Sequence, residues 1–115
     1  MAEIRIKRIY EEASPEDGLR VLVDRLWPRG VKKDRIDQWA KDLAPSTELR
    51  EEFHGHDFEF DEFRARYLVE LEDRQDEMKK LLAETDGPLT LLFGLKNEKQ
   101  NNATVLAEAL NDLQG

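Results

Sequence analysis

Two uninterrupted apolar runs, Val21-Leu22-Val23 and Leu91-Leu92-Phe93, restrict the fold of this chain more than any other feature. A strand that is apolar at consecutive positions has no wet face, so both runs belong at the centre of a sheet covered on both sides. The stretch between them is long enough for a right-handed helical crossover, which predicts that they are adjacent and parallel. Ile4-Arg5-Ile6-Lys7-Arg8-Ile9 instead begins with strict alternation, the pattern of a strand with one exposed face or at a sheet edge. The turn cluster Ser14-Pro15-Glu16-Asp17-Gly18 separates it from the first central strand.

Helical spacing dominates the rest. Ile36, Trp39 and Leu43 predict a short helix over Asp34 to Leu43, closed by Pro45. Ser46 is a good N-cap for a second helix over Thr47 to Phe53. Asp57 is placed to cap one long helix, whose apolar stripe runs through Phe60, Phe63, Tyr67, Leu71, Met78, Leu81 and Leu82. Its other face pairs Glu62/Arg66, Glu70/Arg74 and Asp76/Lys80 at four-residue spacing. Asn101 caps a last helix with Ala103, Leu106, Ala107, Leu110 and Leu113 inward. The expected fold is a small three-layer α/β domain, its short, mainly parallel sheet flanked by about four helices. Residues 1–115 show no repeat or linker and read as a single domain.

Composition narrows the function. A chain of 115 residues buries a real core without metal or disulfide. It has no cysteine, which excludes thiol chemistry and fits a reducing compartment. No apolar run approaches a membrane span and the N-terminus lacks a signal-peptide core, so a cytoplasmic protein without a membrane partner is expected. The net charge of −8 opposes non-specific binding to nucleic-acid backbones.

Asp24-Arg25-Leu26-Trp27-Pro28-Arg29-Gly30 directly follows the first central run, and strand ends in α/β proteins are where ligands sit. Lys96 lies just beyond the other run, and Asn101-Asn102 opens the last helix, where free amides and the helix dipole favour an anion. Arginine presents forked donors that match carboxylate or phosphate. Arg25, Arg29, Arg50, Lys96, Asn101 and Asn102 are therefore the candidate contacts to a small anionic ligand such as a nucleotide or related metabolite, with Trp27 beside them as packing or stacking surface. The competing reading makes Asp24, Arg25 and Arg50 an internal ion-pair network. Asp24 and His56 are the candidate acid/base groups of an alternative reading, a hydrolase or transferase acting on such a ligand. A third reading uses the Trp27 loop for protein interaction. His54-Gly55-His56-Asp57 holds the chain's two histidines, too few ligands for a closed metal site, so neither metal nor cofactor is expected. Oligomeric state is left open. No phosphate-cradling glycine loop or nucleophile elbow is present.

The heptad, together with Trp39, Leu43-Ala44-Pro45-Ser46, Leu49-Arg50, Phe53, His56-Asp57, Phe63, Tyr67, Glu70-Leu71, Thr90-Leu91-Leu92, Asn101 and Ala103, resembles the short, YeaO-like branch of domain of unknown function 488. The resemblance implies that the first two strands run parallel, although only a short link joins them. It also implies a contrast. Longer relatives carry Cys and Glu at the end of the last strand and Cys-His at the start of the last helix, where this chain has Phe93, Leu95, Asn101 and Asn102. Those reactive groups are missing here, which weighs against an enzyme.

Overall fold

The computed structural model describes residues 2–54 and 59–115. Its sheet contains β1 (Glu3–Arg8), β2 (Leu19–Leu22), β3 (Gln38–Trp39) and β4 (Pro88–Phe93), in the order β1-β4-β2-β3. All three pairings are parallel. Val21 lies opposite Leu91 and Leu22 opposite Leu92, so the two apolar runs are adjacent, parallel and central, as their composition requires. The alternating strand β1 takes an edge.

β1 and β2 point the same way, but β4 lies between them. The link from Ile9 to Gly18 therefore crosses the start of β4. It does so through a 3₁₀ turn at Pro15–Asp17, held by a reciprocal cap: Glu16 N donates to Ser14 Oγ at 3.2 Å and Ser14 N to Asp17 Oδ2 at 3.0 Å. Gly18 makes the crossing tight. Its φ is 64°, and a Cβ there would sit 2.2 Å from the Pro88 carbonyl oxygen.

The helices are α1 (Thr47–His54), α2 (Phe60–Glu72), α3 (Gln75–Leu82) and α4 (Asn102–Gln114). Their apolar residues cover one face of the sheet. Val21, Val23, Leu89, Leu91 and Phe93 from the strand region pack with Leu49, Phe63, Tyr67, Leu71, Met78, Leu81, Leu106 and Leu110. Alternation sends Leu22 and Leu92 to the opposite face, where they meet Ile9, Trp27, Val31 and Ile36. Loop and 3₁₀ turns, rather than α-helices, build this third layer. Its polar part is a cluster in which Asp17 pairs with Lys7 at 2.8 Å and with Arg20, and its carbonyl accepts from Thr90 Oγ1 at 2.6 Å.

Two sequence expectations need correction. Asp34 to Leu43 is not a helix: 3₁₀ turns at Lys33–Arg35 and Lys41–Leu43 flank strand β3. Ile36 packs in the loop-covered layer while Leu43 packs under the helices, so their side chains serve opposite faces of the sheet. A single helix stripe cannot do that, and the chain passes along the sheet edge instead. The expected long helix is also divided. α2 ends at Glu72, the Asp73 amide turns back onto the Glu70 and Leu71 carbonyls, and α3 starts after Arg74. The break falls in the polar stretch Glu72 to Glu77, where Leu71 and Met78 are the nearest buried anchors.

The caps hold where expected. Leu49 N donates to Ser46 Oγ at 3.2 Å, and Thr104 N to Asn101 Oδ1 at 2.9 Å. The proposed Asp57 cap lies outside the described residues. No described helix is long and apolar enough to cross a membrane.

Candidate functional site

The carboxyl ends of β2 and β4 open into a cavity of about 280 Å³. Its wall includes Asp24, Arg25, Trp27 and Arg29 from the loop after β2, Gly94 and Leu95 after β4, and Tyr10 after β1. Arg50 and Phe53 come from α1, Phe63 from α2, and Asn102 from the first turn of α4. A parallel sheet delivers all its carboxyl ends to one side, so residues distant in sequence converge there.

Asp24 anchors the site. Its Oδ2 accepts from the Gly94 amide at 2.9 Å and its Oδ1 from Asn102 Nδ2 at 3.1 Å. Asn102 also donates to the Val23 carbonyl at 2.9 Å, which ties the exits of both central strands to the start of α4. Gly94 permits the close approach, since a Cβ there would meet Asp24 Oδ2 at 3.0 Å. Burial pushes the Asp24 carboxyl above the ordinary aspartate range, opposed by the hydrogen bonds from Asn102 and Gly94 and by attraction to Arg50.

The arginines are held differently. Arg25 Nε donates to the Pro45 carbonyl at 2.8 Å, which joins the loop to the start of α1. Arg29 is exposed, and its carbonyl accepts from Tyr10 Oη at 3.1 Å. Among the described residues, none of Arg25, Arg29 and Arg50 forms an ion pair with a carboxylate. The internal Asp24-Arg25-Arg50 ion-pair network considered from the sequence is therefore absent among these residues. Asp24 is satisfied mainly by neutral donors, and Arg50 acts on it only through space.

Trp27 does two jobs. Its ring packs in the loop-covered layer and meets Trp39 edge to face at 5.3 Å, while its Nε1 closes the Pro28-Arg29-Gly30 turn on the Val31 carbonyl at 2.9 Å. The same ring lines the cavity.

The structure thus brings together Asp24, Arg25, Trp27, Arg29, Arg50 and Asn102. Lys96 is exposed and is not part of the wall. Asn101 is fully buried and also outside the wall, its side chain engaged by Thr104 and by the Asn97 carbonyl. His56 lies outside the described residues. No group of three or more potential metal ligands occurs among the described residues. Sequence reasoning missed Tyr10 and Gly94 and named Leu95 only as the place of a relative's Glu, although all three follow strand ends and the strand-end rule would have found them. It also missed Phe53 and Phe63, whose helical spacing marks them only as core.

Comparison with known proteins gives the chain its relatives. It is 49% identical to the uncharacterized protein YeaO of Escherichia coli (strain K12) over 114 residues, covering 96% of this chain and 98% of that one. It is 44% identical over 112 residues to the uncharacterized protein Rv3073c of Mycobacterium tuberculosis (strain ATCC 25618 / H37Rv), covering 94% and 93%. No solved structure matches. The model of one family, described as the inactive DUF488-N3 subclade, matches residues 3–114, and the chain belongs to that family.

Proposed function

We propose that this protein binds a small anionic ligand, a nucleotide or related metabolite, in the cavity at the carboxyl end of its sheet. One observation carries the reading: three arginines line a recess without a carboxylate partner among the described residues, in a chain whose net charge is −8. A protein with surplus acid has every opportunity to pair its arginines. Three arginines around a concavity with no ion pair among the described residues concentrate positive potential where an anion can enter. Their terminal nitrogens offer the forked geometry that carboxylate and phosphate accept.

Binding is favoured over turnover. The family's description as inactive supports it, and so do the residues themselves. Leu95 and Asn102 line this cavity at positions where the longer relatives resembled by this chain carry Glu and His. A cleft lined at these positions by an aliphatic side chain and an amide is suited to holding a ligand rather than to transferring protons. The alternative, a hydrolase or transferase, rests on Asp24, whose raised carboxyl suits proton transfer. A cytoplasmic setting belongs to the same reading, since a chain without cysteine needs no oxidising compartment.

Thermal denaturation tests the proposal. A panel of nucleotides, sugar phosphates and dicarboxylates should contain members that raise the melting temperature of the wild type, and Arg29→Ala and Arg50→Ala should abolish the rise. No shift with any of them in the wild type would overturn it.

A further inference from the structure

The cavity wall carries both signs of charge: Asp24, Arg25 and Arg50 are partly buried in it, and Arg29 is exposed. Asn102, bonded to Asp24, and Phe63 are the buried part of the wall, whereas Tyr10, Leu26 and Arg29 are exposed at its mouth. Apart from the arginine terminal nitrogens, several hydrogen-bonding groups of the wall are already engaged. Asn102 Nδ2 serves the Val23 carbonyl and Asp24, Trp27 Nε1 serves Val31, and Arg25 Nε serves Pro45. The Gly94 and Leu95 carbonyls are taken by Arg8, at 3.3 and 2.8 Å.

Among the described lining residues, Asp24 is the one carboxylate, and it keeps acceptor capacity. Each of its carboxylate oxygens accepts one hydrogen bond from the described residues, and a carboxylate oxygen has room for two. A ligand that filled the recess with apolar or anionic surface alone would strip water from those positions and offer nothing in return. That loss is costly for a carboxylate already raised by burial. A ligand that brings a donor replaces the water and gains a charge-assisted hydrogen bond.

We propose that the ligand is bipolar: besides its anionic group it carries a hydrogen-bond donor, an amine, amide N–H or hydroxyl, which Asp24 accepts at the inner end of the cavity. This rests on the anion-binding reading of the same site. Arg29 holds the anion towards the mouth, with Arg25 and Arg50 further along the wall, and a ring-sized spacer lies against Trp27 and Phe63. A volume of about 280 Å³ accommodates a molecule of that size. Asp24 sets specificity here, and the arginines set affinity for charge.

Calorimetric titration with three phosphate monoesters tests this. Phenyl phosphate supplies anion and ring, 4-aminophenyl phosphate adds a donor opposite the anion, and 4-methylphenyl phosphate matches the amine in size without one. In the wild type the amine should bind roughly 10-fold or more tightly than the methyl compound. Asp24→Asn should bring the two within about threefold of each other while phenyl phosphate still binds, since an amide can no longer attract the donor as a carboxylate does. Arg29→Ala should weaken all three together. Equal affinity for amine and methyl in the wild type overturns the bipolar ligand and leaves the anion site standing. A preference that survives Asp24→Asn overturns the role of Asp24. No binding by any of the three overturns the bipolar ligand, and with no shift across the wider panel the anion site falls as well. If Asp24→Asn fails to fold, the wild-type comparison still decides whether the ligand is bipolar, and Asp24→Glu, which moves the carboxylate, should reduce the amine preference if Asp24 accepts the donor.

Discussion

The side-chain amide of Asn102 donates to the carboxylate of Asp24 at 3.1 Å, joining residues 78 positions apart. Its second bond, to the Val23 carbonyl, makes this one amide the fastening between the end of β2 and the start of α4. Asn102→Ala leaves a buried carbonyl and a carboxylate oxygen short of a donor. It should destabilise the protein by about 2 kcal/mol, read as a lower urea midpoint with an unchanged slope. A loss below roughly 0.5 kcal/mol would show that water replaces the amide without cost.

Arg29 separates site from scaffold. It is exposed and has no ion pair among the described residues, so Arg29→Ala should change the stability of the unliganded protein by no more than about 0.5 kcal/mol. A loss near 3 kcal/mol in chemical denaturation would reveal a buried partner and remove this residue from the proposed site.

Asp17 governs acid stability. Burial works to raise its carboxyl, but hydrogen bonds from Lys7, the Ser14 amide and Arg20 outweigh it and hold the group below its ordinary value of 3.8. A carboxyl lowered in the folded chain stabilises it above pH 3.8, and that contribution is lost as pH falls through the lowered folded value. Asp17→Asn should therefore cost about 3 kcal/mol at neutral pH, with the gap to wild type closing in acid. Urea unfolding across that range checks it. A constant gap would mean the carboxylate's charge is not what matters.

The two glycines with positive φ should respond unequally to alanine. At Gly18 a Cβ would strike the Pro88 backbone, whereas at Gly30, with φ of 78°, nothing lies within 4 Å. Gly30→Ala should cost about 1 kcal/mol of backbone strain, and Gly18→Ala roughly 3 kcal/mol or more, because strand β4 must also shift. Equal melting temperatures for the two variants would contradict the close crossing.

The elements legible in the sequence are those with one unambiguous job. Val21-Leu22-Val23 and Leu91-Leu92-Phe93 are buried on both faces, and a continuous apolar run says so directly. Alternation in β1 reports its edge position, and Ser46 and Asn101 announce the helices they cap. The segment from Asp34 to Leu43 misled because Ile36 and Leu43 stand at helical spacing while packing on opposite faces of the sheet. Spacing along a chain does not record which layer each side chain enters. The break at Asp73 and Arg74 was hidden for a related reason: Leu71 and Met78 are seven apart, the interval an unbroken helix also uses. For the site, the loop after β2 was visible as arginines beside a strand end. The donor to Asp24 was legible only as a helix start, because nothing local in Asn101-Asn102 tells which amide caps the helix and which turns into the cavity.

The strand order β1-β4-β2-β3 also dictates when the molecule can assemble. The strand that bridges β1 and β2 is made of residues 88–93, so a growing chain holds two strands with no common neighbour until most of its length has been synthesised. During that interval β2 can pair only with β3, and the side of Val21, Leu22 and Val23 that β4 covers stays open. Translation that stalls before residue 88 therefore releases a fragment with open strand edges, prone to self-association rather than to partial folding.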